Sequence, residues 1–322
     1  MVTNSCFLFP GQGAQYPGMG LDLLSPSPAA KEVFDTASAI LGVDIIRLIG
    51  DSDGETLKKT DISQPAISAA SLAAAAFLKE RGISPGACAG FSLGEYPALA
   101  CAGVIGLEDC FRLTKERGRA MQAAVDRILK DGPEAPPGMA AILGLPPEDL
   151  TARIGEWKKE GLPAGDLYTA NINSPKQVVV SGTAAALEDA TARFKDAGAR
   201  RVIRLQVAGP FHSPLMKGAA EAFAPVLEET VFTDPGIPFF SNVTGGPVHT
   251  GKELKELALR QIVEGVKWTG EEAAIAALRP GAVLETGPGR VLQGLWHETG
   301  TGIPAYGAGT LEEILNCIKE LS

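Results

Sequence analysis

The chain has 322 residues, 45% of them hydrophobic and 21% charged, with a formal net charge of −9. That length favours one large domain plus a smaller one, and that composition argues against disorder. The acidic balance, with no long basic run, argues against nucleic acid or an anionic membrane as the main partner.

In chain order, "SCFLF" (Ser5–Phe9) reads as a buried strand. Met1–Phe9 has no basic flank and Pro10-Gly11 ends its apolar run, so no signal peptide is expected. The loop "FPGQGAQYPGMG" fails the dinucleotide fingerprint at Tyr16 and lacks the Gly-Lys-Ser/Thr of a P-loop. Its physical use is to bring backbone N–H groups close to a ligand; the alternative is an ordinary glycine loop. "SQPAISAASLAAAAFLKERG" reads as a helix, with Ser63 as N-cap, Pro65 in the first turn and Gly82 at the stop. Its longest apolar stretch, Ala66–Leu78, is too short to span a bilayer. "ACAGF" (Ala87–Phe91) reads as a short buried strand, followed by helices near Glu95–Ala102 and Leu107–Leu129.

"KDGPEAPPG" (Lys130–Gly138) is charged, rich in proline and glycine, and reads as a linker. The pattern then changes. "MAAILGL", "LYTANIN", "QVVVSG" and "RRVIRLQV" read as strands, and "PPEDLTARIGEWKKEG" and "TAAALEDATARFKDAG" as helices. Their order, β-α-β-β-α-β, is the ferredoxin-like plan. From Ala208 the α/β alternation resumes, with strands at "PFFSNV" and "AVLETG". Helices are expected at Pro214–Glu229, Gly251–Val263, Thr269–Ala277, Val291–Glu298 and Thr310–Leu321. The fold class is therefore α/β: a large domain of residues 1–137 and 207–322, interrupted by a ferredoxin-like α+β subdomain of residues 138–206. The five scattered cysteines (Cys6, Cys88, Cys101, Cys110 and Cys317) form no C-x-x-C and read as reduced thiols of a cytoplasmic protein, with no metal site.

Gly90-Phe91-Ser92-Leu93-Gly94 matches G-x-S-x-G between a strand and a helix. A sharp strand-to-helix turn projects the serine hydroxyl, and the helix N-terminus points N–H donors at a developing oxyanion. The alternative is a structural turn that contains a serine. A nucleophilic serine needs a base, and there are three histidines. His249 lies in a glycine-rich turn and His297 near a helix C-terminus. His212 lies between a strand and a helix, between Pro210 and Pro214, and is the favoured base. Arg117 falls on the apolar face of its helix, with Cys110, Leu113, Thr114 and Met121. A buried guanidinium must be paired: with an acid of this chain, or, beside an acyl-transfer turn, with a ligand carboxylate. "ETGPGRVLQGL" reads as a tight strand-to-helix connection.

Taken together, "FPGQGAQYPGMG", "ISQPAI", "GFSLGEY", "RGRAMQ", "GPFHS", "SNVTG", "QIVEGVKW" and "ETGPGRVLQGL" resemble the malonyl-CoA:acyl carrier protein transacylase family, which includes polyketide synthase acyltransferase domains. The resemblance covers nearly the whole chain. It implies an α/β-hydrolase-like large domain with a mostly parallel sheet and an active-site gorge against the ferredoxin-like insertion. It implies Ser92 as acylated nucleophile, His212 as base, the Gln261 backbone carbonyl orienting that base, and backbone N–H groups of Gln12 and Leu93 as oxyanion hole. Arg117 would hold the malonyl carboxylate, and Phe211 would crowd out an α-methyl branch. Phe91 departs from the histidine common in the family, which puts acyl preference rather than catalysis in doubt. Gln15 and Asn173 match no role. The implied partners are malonyl-CoA and acyl carrier protein, with no cofactor, since CoA thioester and phosphopantetheine are substrates; a monomer is expected. Rival readings are a serine thioesterase or editing hydrolase, and a catalytically dead docking module. Arg200, Arg201 and Arg204 are a candidate docking patch for the carrier.

Overall fold

In the computed structural model, which describes residues 4–131, 135–161 and 166–321, the strands fall into two sheets. In chain order they are β1 (Ser5–Phe9), β2 (Pro85–Gly90), β3 (Gly138–Leu143), β4 (Leu167–Ser174), β5 (Gln177–Gly182), β6 (Arg201–Arg204), β7 (Phe239–Ser241), β8 (Gly246–Val248), β9 (Ala282–Glu285) and β10 (Ala305–Gly307). The larger sheet runs β10-β9-β1-β2-β7-β8. Its strands pair in parallel except the edge strand β8, which is antiparallel to β7. All five residues of β1 are buried, as expected of a central parallel strand covered on both faces. The smaller sheet runs β4-β5-β3-β6, is antiparallel throughout and carries the helices Pro147–Lys159 and Ala184–Asp196.

The two parts are tied by backbone. Asn171 of β4 forms a parallel bridge with Val266. Ile172 N–H donates to Val266 O at 2.8 Å, and Val266 N–H donates to Ala170 O at 2.8 Å. Ser181 of β5 donates its hydroxyl to the Phe211 carbonyl. These contacts anchor the edge of the small sheet beside the loop that carries His212.

Several elements differ from the sequence reading. The Ala-rich helix spans Thr60–Glu80, so Ser63 is inside it and Lys59 is at the cap position. Its start is set from a distance: Thr60 N–H donates to Gln122 Oε1 at 3.2 Å, which no local signal records. The sequence reading passed over the helix Pro28–Leu41, although Ser27 caps Ala30 N–H, Pro28 opens it and Gly42 ends it. Strands β8 and β10 have three residues each, too short to show a period. Of the expected linker Lys130–Gly138, residues 132–134 lie outside the described residues.

Candidate active site

Strand β2 ends at Gly90, and the chain turns through Ser92–Gly94 into the helix Glu95–Cys101. Ser92 sits in that turn at φ 53°, a left-handed conformation that costs a residue bearing a side chain about 1–2 kcal/mol. The flanking glycines are required by contact. A Cβ on Gly90 would lie 2.0 Å from the Gly94 carbonyl group, and a Cβ on Gly94 2.0 Å from Phe9 O. The turn closes on itself and on the end of β1, which leaves the Ser92 hydroxyl facing out.

His212 lies in the loop after β6, also at positive φ, and is 5% exposed. Its Nε2 is 2.8 Å from Ser92 Oγ and its Nδ1 is 2.8 Å from the Gln261 carbonyl oxygen. A carbonyl only accepts, so Nδ1 holds the proton and Nε2 accepts from the Ser92 hydroxyl. Gln261 follows the helix Gly251–Arg260, where the last carbonyls lack intrahelical partners. The negative end of that helix also favours the imidazolium that proton transfer creates. One backbone carbonyl thus does the orienting that an aspartate does in other triads. Burial, with the nearby Arg117 charge adding to it, pulls the His212 pKa down to about 4. The ring is neutral, and a base, near neutral pH.

Arg117 is 1% exposed on the helix Leu107–Asp131. Its Nη1 donates to Gln64 Oε1 and its Nη2 to Gln261 Oε1, both at 2.9 Å. Nη2 also lies 3.5 Å from Ser92 Oγ, and the guanidinium carbon is 5.3 Å from the Tyr96 ring centroid. Every one of these partners is neutral. Glu95, whose charge Arg117 feels, gives its carboxylate to Asn242 N–H and to Gln261 Nε2. Burial pushes Glu95 up to about 7. Among the described residues, Nε of Arg117 is buried with no hydrogen-bond partner. The internal ion pair, one of the two readings open from sequence, is not what this side chain makes.

These groups line one cleft of about 530 Å³. Gln12 and Leu93 border it beside Ser92, and among the described residues neither backbone N–H donates to a protein acceptor. Phe211 and Phe91 supply apolar wall, with Phe91 edge-on to Trp268 at 5.4 Å between centroids. Met139, Asn171, Asn173 and Val179 of the small sheet face them. His249 and His297 are exposed and lie outside the cleft. Sequence reasoning assigned no role to Gln15 or Asn173, yet both line the cleft, and Asn173 Oδ1 is buried with no partner among the described residues. It also assigned no role to Gln64 or Asn242, which lie in the motifs "ISQPAI" and "SNVTG". The available signal for Gln64, which the structure buries fully, was an amide side chain heading the Ala-rich run "QPAISAASLAAAAF". Among the described residues no group of three His, Cys, Asp or Glu stands ready to hold a metal ion, and no helix is long and apolar enough to cross a membrane.

A strained serine, a neutral imidazole on its hydroxyl and a buried cation whose hydrogen bonds go to neutral groups define a serine acyl-transfer centre on a mixed α/β fold. The chain belongs to the acyl transferase domain family, which it matches over residues 6–306. It is 37% identical to the malonyl CoA-acyl carrier protein transacylase of Bacillus subtilis (strain 168), over 99% of this chain and 98% of that protein. It is 40% identical to the protein of the same name from Escherichia coli (strain K12), over 91% of this chain and 92% of the other. A solved complex of a type II polyketide synthase acyl-carrier protein with its malonyl-transacylase superposes at TM-score 0.89. The matched chain of that complex is 36% identical to this one, over 98% of this chain and 99% of the other.

Proposed function

We propose that the protein transfers a malonyl group from malonyl-CoA to the phosphopantetheine thiol of acyl carrier protein, for fatty acid or polyketide synthesis. The observation that carries this reading is Arg117, a buried cation beside Ser92 whose hydrogen bonds go only to neutral groups. A fixed positive charge at that place fits an acyl group that ends in a carboxylate. A thioesterase for neutral acyl chains has no use for it, and a dead docking module has no use for a serine held on its base.

The reaction proceeds in two matched halves. His212 Nε2 takes the Ser92 proton as Oγ bonds to the thioester carbonyl carbon. The oxyanion sits on the N–H groups of Gln12 and Leu93. The C–S bond breaks, CoA sulfur takes the proton from His212, and malonyl-Ser92 remains. The carrier thiol then gives its proton to His212, bonds to the same carbon, and Oγ leaves with the proton. The thioester is already activated, so the chemistry needs no cofactor. Arg117 holds the malonyl carboxylate and so restricts the poses open to water. Phe211 leaves little room beside the α-carbon. All the reacting groups come from one chain, which suits a monomer, and five free cysteines suit the reducing cytoplasm. Arg201 and Arg204 of β6, with Arg200 just before it, are exposed on the strand that leads to the cleft rim, and offer the acidic carrier a place to dock.

The test is intact-mass analysis after mixing with malonyl-CoA, then with carrier protein. One malonyl group should appear on Ser92 and move to the carrier. Hydrolysis without transfer would favour the thioesterase, and no adduct would favour the docking module.

A further inference from the structure

Asn242 follows β7, has no exposure, and does not line the cleft. It reaches the nucleophile through the backbone. Its Oδ1 accepts from Ser92 N–H at 2.7 Å, and its Nδ2 donates to Gly90 O at 2.6 Å. One amide therefore grips the peptide groups on both sides of Phe91, at the point where the chain enters the left-handed conformation. The amide is itself held. Nδ2 also donates to Glu271 Oε1 at 2.8 Å, Oδ1 lies 3.3 Å from Gln261 Nε2, and Asn242 N–H donates to Glu95 Oε1 at 3.0 Å. Gly90 O can only accept and Ser92 N–H can only donate, so the amide has one permitted orientation. Ionised aspartate, leucine and alanine each lose at least one of the two grips.

We infer that Asn242 is a positioning residue for acyl transfer, holding the nucleophile turn so that Ser92 Oγ stays on His212. It has a second effect on the chemistry. By engaging Ser92 N–H it leaves Leu93 N–H as the donor of that turn facing the reacting oxygen. The inference rests on the acyl-transfer reading of this same site and adds a residue to it. Its energetic logic is that of a strained catalytic geometry held by surrounding contacts.

The experiment uses the full chain with Ser92→Ala, Asn242→Ala and Asn242→Asp. Single-turnover acylation by malonyl-CoA is followed by intact mass, and malonyl-CoA binding is measured by calorimetry in the Ser92→Ala background, with and without Asn242→Ala. Asn242→Ala is expected to slow acylation about 100-fold, the scale of a small misplacement of reacting atoms, with binding changed less than about twofold. An acylation rate within about threefold of the parent, or a loss mirrored in binding, overturns the inference. Asn242→Asp covers the case in which the alanine variant does not fold. Its carboxyl would face Glu95 and Glu271, with Arg117 and His212 beyond, and would take a proton as pH falls, restoring a donor toward Gly90 O. Its acylation is expected to speed up between about pH 8 and about pH 6 while the parent changes little. A profile parallel to the parent's overturns the inference. If Ser92→Ala itself still takes the malonyl label, the proposed function has failed. If Ser92 carries the label and both Asn242 variants acylate like the parent, only the inference has failed.

Discussion

Ser92 Oγ and His212 Nε2 meet at 2.8 Å across a separation of 120 residues, and both residues have positive φ. Two strained backbones are thus matched to one hydrogen bond. Because His212 is held near a pKa of about 4, the imidazole loses its proton far below neutrality. Single-turnover acylation should rise as pH climbs through about 4 and then level off, with no limb near the ordinary histidine value of about 6.5. A stopped-flow pH profile with a limb at the ordinary value would contradict this.

On the proposed function, Arg117→Ala removes a charge-assisted hold on the substrate carboxylate. A loss of about 2–3 kcal/mol corresponds to about a 30- to 150-fold fall in kcat/KM for malonyl-CoA. Neutral acyl-CoAs should lose far less, and hydrolysis of their adducts should rise. The same change removes a charge that holds the His212 pKa down, so the acid limb should move to higher pH. Steady-state assays with malonyl-CoA and acetyl-CoA across pH read both effects.

Phe211 is 6% exposed and lines the cleft next to His212. Phe211→Ala should admit an α-methyl branch and narrow the preference for malonyl over methylmalonyl by about tenfold, the scale of a methyl-sized gap in an apolar pocket. Competition between the two CoA esters for Ser92, read by intact mass, measures the ratio.

Gly90→Ala forces a Cβ to within 2.0 Å of backbone at Gly94, where no flexible side chain can yield. The expected cost is about 3 kcal/mol or more, with loss of acylation. Urea unfolding of the variant, where it is soluble, supplies the number.

Glu285 is 1% exposed, and burial pushes its pKa up to about 7 even though its Oε2 accepts from Gln293 N–H. The folded state keeps this proton where the unfolded chain, with an ordinary carboxyl value near 4.5, has lost it. Stability from this group is therefore fully present below about 4.5 and is lost as pH rises through about 7. Glu285→Gln should flatten that decline by up to about 3 kcal/mol between about pH 5 and about pH 8, measured by urea midpoints.

Much of the site was legible because the chemistry demands unusual residues in unusual company. A serine between two glycines, a histidine between two prolines and an arginine on an apolar helical face each break the local pattern. The β-α-β-β-α-β order was legible because β3, β4 and β5 have six to eight residues and the two helices thirteen each, long enough to read as runs between turn signals, although β6 has only four. Asn242 was not legible in its role, because it grips Ser92 N–H from 150 residues away and its neighbours give no sign of what it faces. The start of the Thr60 helix failed for the same reason: its partner, Gln122, lies 62 residues on. Strands β8 and β10 escaped because pairing, not composition, defines a three-residue edge. The helix Pro28–Leu41 is a different case, since its cap, its proline and its terminal glycine were all present in the text of the chain.

The cleft divides its labour by segment of chain. Ser92, His212 and Arg117 belong to the segments around the parallel sheet, while Met139, Asn171, Asn173 and Val179 reach in from the small antiparallel sheet. An exchange of that piece for a cousin's would therefore retailor the fit to thioester and carrier while leaving the reactive machinery in its original hands, a modular route by which one reaction can acquire new customers.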